Sequence, residues 1–113
     1  VLDTWPYSGG LTTCEALLMG VPVLTITGDR FCGRHATAHL ASGGYPEGVC
    51  ASAEEMAAKA KALASDLNAL AGLRAGLRAK FLASRLCDTA GFAKNFYATL
   101  RAEWQALCAR NGL

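Results

Sequence analysis

Residues 1–27 read VLDTWPYSGGLTTCEALLMGVPVLTIT, and this stretch decides the fold class. Val1-Leu2 is typical of the end of a buried strand, a turn-rich loop follows, and Leu11–Met19 has helical character. Val21–Thr27 is an apolar, β-branched run typical of a buried strand in a parallel sheet, with Pro22 at its start. The order strand, loop, helix, strand predicts a doubly wound α/β fold.

The rest of the chain is predicted to become increasingly helical. A second helix is expected from about Cys32–Leu40, and Gly48–Ala51 is interpreted as a last short strand. From Ser52 onward we expect only helices. Residues 1–113 are therefore interpreted as one unit of the α/β class, with short parallel strands followed by a helical C-terminal half.

Three helices are predicted in this second half. The first begins at Ser52, which forms a capping-box pattern with Glu55, and it is expected to break at Gly72. Asp88 is expected to cap the third helix, which ends near Asn111. Apolar side chains at helical spacing are assigned to the core in all three helices. They are Met56, Ala60, Leu63, Leu67 and Leu70 in the first, Leu73, Leu77 and Phe81 in the second, and Phe92, Phe96, Leu100, Trp104 and Leu107 in the third.

Composition limits the classes of partner. The net charge is only +2, and the Lys and Arg residues are scattered, so nucleic acid is not expected. The longest uncharged apolar stretch, residues 16–27, is shorter than the roughly 20 residues of a membrane span, so no membrane partner is expected. The high hydrophobic share, 52%, indicates surface that a larger protein covers, or self-association of this chain. We interpret the sequence as a fragment.

The cysteines and histidines carry weaker signals. An odd number of widely spaced cysteines argues against a disulfide framework or a zinc site and favours the cytoplasm. Cys14 is interpreted as a small apolar residue. His35 and His39 have the spacing of two metal ligands, but no third ligand is evident and packed histidines are favoured. Arg34 either reaches an anion or ties a helix to a loop. The cysteines are Cys14, Cys32, Cys50, Cys87 and Cys108.

The loop and helix start at residues 9–15 carry the chemical content. The two glycines let the backbone approach a ligand, and the first helical turn offers unpaired amides at the positive end of the helix dipole, which favours phosphate. The two threonine hydroxyls can donate to phosphate oxygens, and the glutamate can accept hydrogen bonds from a ribose diol. The candidate binding residues are Gly9, Gly10, Leu11, Thr12, Thr13 and Glu15.

The same residues also permit a plainer interpretation. A glycine-rich loop often only leads into a helix, and Glu15 then complements the helix dipole. Neither the P-loop pattern nor the dinucleotide-binding fingerprint is present. From the residues alone, phosphate binding and a purely structural loop both remain open.

Residues 2–30 closely resemble the donor-binding region of the O-GlcNAc transferase and SPINDLY-like family of GT-B glycosyltransferases. The specific motifs are Asp-Thr-x-Pro-Tyr at residues 3–7 and Thr-x-x-Gly-Asp-Arg at residues 25–30, with Gly-x-Pro at residues 20–22 between them. Looser similarity extends to the C-terminus. The resemblance therefore covers essentially the whole chain. It implies that residues 1–113 are the C-terminal portion of a donor-binding domain, with a partial Rossmann-like fold.

The resemblance implies a role for each matching position. Gly10, Leu11 and Thr12 are expected to approach the diphosphate of a UDP-sugar, and Glu15 to contact the uridine ribose. Family members commonly have Thr at the position of Leu11, so one hydroxyl contact is absent here although the backbone amide remains. The acidic position is often Asp, so Glu15 reaches one methylene further.

The resemblance also implies the activity of a longer parent enzyme. That enzyme would transfer N-acetylglucosamine, or another hexose, from a UDP-sugar to Ser or Thr of proteins, in the cytoplasm and with no metal or other cofactor. No catalytic residue is assigned to this chain, which is expected to be inactive alone. The uracil pocket and the tetratricopeptide repeats that bind protein acceptors are expected upstream. Two alternatives remain: another GT-B enzyme, such as an epimerase or a small-molecule or lipid glycosyltransferase, and a non-enzymatic interaction domain.

Overall fold

The computed structural model describes residues 1–112. Its elements are α1 (Leu11–Leu18), β1 (Thr25–Ile26), α2 (His35–Ser42), β2 (Val49–Cys50), α3 (Ala53–Ser65), α4 (Leu67–Leu82) and α5 (Thr89–Asn111). Short 3₁₀ turns precede α2, β2 and α5, at Phe31–Gly33, Pro46–Gly48 and Arg85–Cys87. Within the described residues, no helix combines the length and the apolar character needed to cross a membrane.

The strands form a small parallel sheet, as predicted. β1 pairs in parallel with β2, with Thr25 opposite Val49. On the other side of β1, Leu2 forms a parallel bridge to Leu24. The strand is shorter than the predicted Val21–Thr27. At its start, the Val21 amide donates to the Ala16 carbonyl at the end of α1 and is not free for the sheet.

Gly20 ends α1 in the manner expected of a C-terminal glycine. It adopts a left-handed conformation, with φ of 65°, which favours a residue without a Cβ. A Cβ at Gly20 would also lie 2.8 Å from the Arg74 carbonyl oxygen of α4. Arg74 Nε in turn donates to the Gly20 carbonyl at 3.1 Å. The turn between α1 and β1 is therefore fixed against α4.

The core lies where α1, α2 and α4 meet. Its buried cluster contains two of the predicted apolar positions in the helical half, Leu77 and Phe81, both from α4. The other members come from the first half of the chain and are Leu17, Val23, Leu40 and Tyr45. The helical half is thus attached to the sheet region chiefly through one face of α4.

The predicted break at Gly72 is wrong, because the helices separate at Asp66. The Asp66 carboxylate accepts a hydrogen bond of 2.9 Å from the Ala69 amide and caps α4, whereas Gly72 lies inside that helix. A glycine inside a helix costs only about 1 kcal/mol, which the packing of α4 offsets. The predicted stripe from Met56 to Leu70 therefore spans two helices, and Leu67 is exposed.

The caps of the other two helices agree with the sequence. Ser52 Oγ accepts from the Glu55 amide at 3.2 Å, and the Glu55 carboxylate accepts from the Ala51 amide at 2.7 Å. Asp88 accepts from the Gly91 amide at 2.8 Å at the start of α5. Capping patterns are local, so sequence alone can locate them.

The core assignment for α5 is wrong. No residue within α5 is buried, and Phe92 and Trp104 are 68% and 63% exposed. Helical spacing predicts that a helix has an apolar face, but it does not tell which part of a protein covers that face. The exposed side chains form what we term the α5 apolar face: Phe92, Phe96, Tyr97, Leu100, Trp104 and Leu107.

Candidate functional site

The loop between the Leu2 bridge and α1 is held by Asp3. One carboxylate oxygen accepts a hydrogen bond of 2.7 Å from the Gly9 amide, and the other accepts one of 2.6 Å from Thr25 Oγ1 on β1. Thr25 is fully buried. Asp3 therefore fixes both ends of the loop to the sheet, a role that sequence reasoning missed.

The two glycines of the loop differ in their surroundings. A Cβ at Gly9 would lie 2.9 Å from the hydroxyl oxygens of both Thr12 and Thr13. A Cβ at Gly10 would meet no atom within 4 Å. Gly9 is therefore required for packing inside the loop, while the space beside Gly10 is open.

The start of α1 has unpaired amide donors. Within residues 1–112, the amides of Gly10, Leu11 and Thr12 have no hydrogen-bond acceptor, and no side chain caps the helix. The first backbone bond of this helix runs from the Thr13 amide to the Gly10 carbonyl, at 3.1 Å. Leu11 is 74% exposed. Solvent therefore reaches a helix start whose free amides and dipole favour an anion.

The two threonines of this turn have different roles. Thr13 is buried, and its hydroxyl donates to the Gly9 carbonyl at 2.9 Å, so its one proton is already in use. Thr12 is exposed, and its hydroxyl has no partner within the described part of the chain. Glu15 is also exposed, one turn further along α1. The structure thus leaves Thr12 and Glu15 open to a ligand and uses Thr13 to shape the loop.

The second loop near the site, residues 28–34, is closed on itself. Arg34 donates from Nε to the Gly28 carbonyl and from Nη2 to the Asp29 carbonyl, both at 2.9 Å. This confirms the interpretation that Arg34 ties a helix to a loop. A Cβ at Gly28 would lie 3.0 Å from Gly33 Cα, so the two glycines let the two ends of this loop come into backbone contact.

The histidines and Cys14 are packed side chains, as their plainer interpretation had it. The His35 ring makes T-shaped contacts with the rings of Tyr7 and Phe31, with centroids 5.5 and 4.8 Å away. Burial, and then the nearby His35, lowers the pKa of His39. Cys14 packs against the core, and burial raises the pKa of its thiol. Within residues 1–112, no three His, Cys, Asp or Glu side chains are grouped as metal ligands would be.

Comparison of the whole sequence with known families gives one match that decides its membership. The sequence profile of glycosyl transferase family 41 matches residues 1–96, which include both loops and α1 to α4. The chain belongs to glycosyl transferase family 41. The resemblance noted from residues 2–30 is thereby confirmed.

Two plant proteins are among the relatives of this family 41 chain. It is 39% identical over 107 residues to the probable UDP-N-acetylglucosamine–peptide N-acetylglucosaminyltransferase SPINDLY of Petunia hybrida, and 36% identical to that of Arabidopsis thaliana. Each match covers 95% of this chain and 12% of the relative. The family 41 chain thus spans about an eighth of the length of these relatives.

A solved structure supports the fold of the family 41 chain. A mutant of the Thermobaculum terrenum O-GlcNAc transferase superposes with a TM-score of 0.84 at 38% identity, over 96% of this chain and 21% of that one. The predicted fold class is therefore confirmed: a partial Rossmann-like α/β domain with short parallel strands followed by a helical half.

Proposed function

We propose that this chain is the C-terminal portion of the donor-binding domain of a GT-B protein O-glycosyltransferase. The parent enzyme would transfer N-acetylglucosamine, or a related hexose, from a UDP-sugar to Ser or Thr of proteins. The observation that carries the proposal is the set of three unpaired amides at the start of α1 in a family 41 chain. The names of the SPINDLY relatives favour a protein acceptor over an epimerase or a lipid glycosyltransferase.

In this proposal the diphosphate binds at the start of α1. The amides of Gly10, Leu11 and Thr12 and the Thr12 hydroxyl would donate to its oxygens, while Gly9 and Thr13 keep the loop in shape. A hydrogen bond to a charged group contributes roughly 1.5–3 kcal/mol. Negative charge grows on the diphosphate as the sugar leaves, so donors fixed in advance stabilise the transition state more than the ground state.

Glu15 would accept hydrogen bonds from the ribose hydroxyls. It is exposed on α1, about one helical turn from Leu11, or roughly 6 Å along the helix axis. A diphosphate at the helix start would therefore place the attached nucleoside within reach of the carboxylate. We assign no metal ligand and no catalytic residue to this chain, so the charge stabilisation assigned here comes from amides and a hydroxyl.

Two apolar surfaces support the view that further parts of a longer enzyme cover this chain. One is the α5 apolar face. The other is a groove of about 330 Å³ beside the Leu2 edge of the sheet, whose apolar lining includes Val21, Leu63 and Leu70. The catalytic base, the uracil pocket, the acceptor-binding tetratricopeptide repeats and a cytoplasmic location belong to the proposed parent. The chain alone would bind the donor weakly, would self-associate and would be inactive.

The direct test is a titration followed by amide NMR. UDP and UDP-N-acetylglucosamine, added up to millimolar concentration, should shift the amide signals of Gly10, Leu11 and Thr12 more than any other amide signals. Thr12→Ala and Glu15→Ala should each weaken the response by roughly tenfold or more. Matched controls on the exposed surface of α5, Thr99→Ala and Glu103→Ala, should leave it unchanged.

The outcomes separate the candidate functions. If uridine, which lacks the diphosphate, shifts amide signals as strongly as UDP does, and the three amides do not shift with either ligand, the diphosphate assignment is contradicted. An absence of response to every nucleotide would favour the non-enzymatic interaction domain, for which the α5 apolar face is the supporting observation. Equal affinities of the site variants and the wild type would remove Thr12 and Glu15 from the site.

A further inference from the structure

We propose that Ser8 and His35 are positioning residues of the donor site. They lock residues 3–10, the loop that leads to the free amides and that we term the donor loop, to the start of α2. The inference rests on the proposed function, because the two residues are inferred to hold in place the backbone amides that would bind the diphosphate. Neither side chain needs to touch the ligand. Their effect passes through the backbone of residues 8–10.

Ser8 joins three segments through one buried group. Its side chain is part of a residue only 2% exposed, and it lies two positions before the first free amide, that of Gly10. The Ser8 amide and hydroxyl both donate to the Cys32 carbonyl, at 2.9 and 3.2 Å. The hydroxyl also accepts from the Ala36 amide at 3.2 Å. Ser8 thus caps the first turn of α2 although it lies 28 positions before Ala36 in the sequence, and it holds the donor loop against that helix.

His35 reinforces the same junction from outside. It is the first residue of α2, and its ring makes T-shaped contacts with both Tyr7 and Phe31. Tyr7 belongs to the donor loop and Phe31 to the 28–34 loop. Edge-to-face contacts of this kind favour one relative placement of the rings. The imidazole therefore links the two loops through its contacts with Tyr7 and Phe31.

The second loop is stiff enough to act as a support. The Gly28 amide donates to the Gly33 carbonyl at 2.9 Å, and both bonds from Arg34 close the same loop. The donor loop is in addition tied to β1 through Asp3. With Asp3 on one side and Ser8 on the other, residues 8–10 have little freedom to move. A helix start held in advance in this way binds an anion without first having to order the loop.

The test compares UDP affinity with stability in four variants of the chain. Ser8→Ala removes a hydroxyl that makes two hydrogen bonds and should weaken UDP binding about tenfold. His35→Ala should weaken UDP binding about threefold, and His35→Phe, which keeps an aromatic ring at this position, should restore the affinity. Affinity is measured by amide NMR at a temperature where thermal unfolding shows every variant to be folded.

Thr27→Val is the matched control. Thr27 and Thr37 share a 3.0 Å hydrogen bond between their hydroxyls, which ties the end of β1 to α2 without involving the donor loop. The variant should lower the melting temperature and leave UDP affinity unchanged. Should Ser8→Ala fail to fold, the two His35 variants still test the same junction.

The outcomes are distinct for the two levels of proposal. If wild-type chain binds UDP at the three amides while Ser8→Ala and His35→Ala bind it equally well, the positioning role is overturned and the donor site stands. If the wild type shows no shift at those amides, the donor site itself fails. If Thr27→Val weakens binding as much as Ser8→Ala, the effect is one of general stability and the positioning role is also overturned.

Discussion

Thr25 on β1 donates a 2.6 Å hydrogen bond to the carboxylate of Asp3, which lies on the neighbouring parallel segment and also accepts from the Gly9 amide. One side chain therefore connects the sheet with the loop that precedes α1. This connection makes Asp3 a structural support of the candidate donor site, although the carboxylate would repel a diphosphate if it pointed at one.

Replacement of Asp3 by Ala should destabilise the fold by about 2 kcal/mol, because it leaves the buried Thr25 hydroxyl and the Gly9 amide without their acceptor. Urea unfolding monitored by circular dichroism measures the change. Asp29→Ala, in an exposed position, is the control and should change stability by less than about 0.5 kcal/mol. A loss below that value for Asp3→Ala would show that water replaces the carboxylate at little cost.

Leu11→Thr should tighten UDP binding about three- to tenfold, because it adds a hydroxyl donor next to the proposed diphosphate position. The side chain is largely exposed, so little change in stability is expected. Leu11→Val supplies the same branched shape without the hydroxyl. Should valine tighten binding as much as threonine does, backbone stiffness and not hydrogen bonding would be responsible. Isothermal titration with UDP measures the difference.

Gly72→Ala should stabilise the protein by about 0.5–1 kcal/mol, because Gly72 lies inside α4 and a Cβ there meets no atom within 4 Å. Gly43→Ala should do the opposite, since its Cβ would lie 2.6 Å from the His39 carbonyl oxygen. Thermal unfolding of the two variants checks the signs. A destabilising Gly72→Ala would contradict a continuous α4.

Charged residues on the α5 apolar face should reduce self-association of the chain. Leu100→Glu and Trp104→Glu replace side chains that are exposed and outside the core cluster, so the melting temperature should change little. Sedimentation velocity at several concentrations measures the assembly state. Leu17→Ala, in the core, is the contrasting variant and should destabilise by about 2–5 kcal/mol. If Leu100→Glu and Trp104→Glu sediment as the wild type does, α5 does not drive association.

His39 should make the fold less stable in mild acid. Burial lowers its pKa in the folded state, so the unfolded chain takes up a proton first as pH falls. The contribution of His39 is therefore present at neutral pH and is lost as the pH drops below the ordinary histidine pKa of about 6.5. Urea midpoints between pH 7.5 and 5.5 measure the slope. His39→Gln should flatten it, and an equal slope in the variant would assign the effect to other groups.

The sequence predicted features that depend on neighbouring residues. The glycine that ends α1 and the serine cap of α3 are decided by residue types within a few positions of one another, and the apolar, β-branched run that indicates β1 is equally local, although its partner β2 lies 24 positions away. The family could also be recognised, because its motifs in residues 2–30 are specific. Local chemistry was therefore a sufficient guide to the fold class and to the family.

Features that depend on distant partners were missed. Asp3 and Thr25 are 22 positions apart, and Ser8 and Ala36 are 28 apart, so no local pattern indicates their contacts. The α5 stripe was assigned to the core because helical spacing records an apolar face and not its partner. Sequence alone favours Gly72 over Asp66 as the boundary between two helices, because glycine is the more familiar signal for a helix end. The location of the proposed phosphate site was predicted, but the residues that support it were not.

The contact between Gly20 and Arg74 also limits how this segment can change in evolution. The Arg74 side chain, 54 positions away, donates a hydrogen bond to the Gly20 carbonyl in the turn from α1 into β1, and a Cβ at Gly20 would lie 2.8 Å from the Arg74 carbonyl oxygen. Insertions or deletions in this turn would displace a distant helix, whereas the exposed junction at Asp66 carries no such restraint. Length variation among homologues should therefore accumulate between α3 and α4 and be absent between α1 and β1.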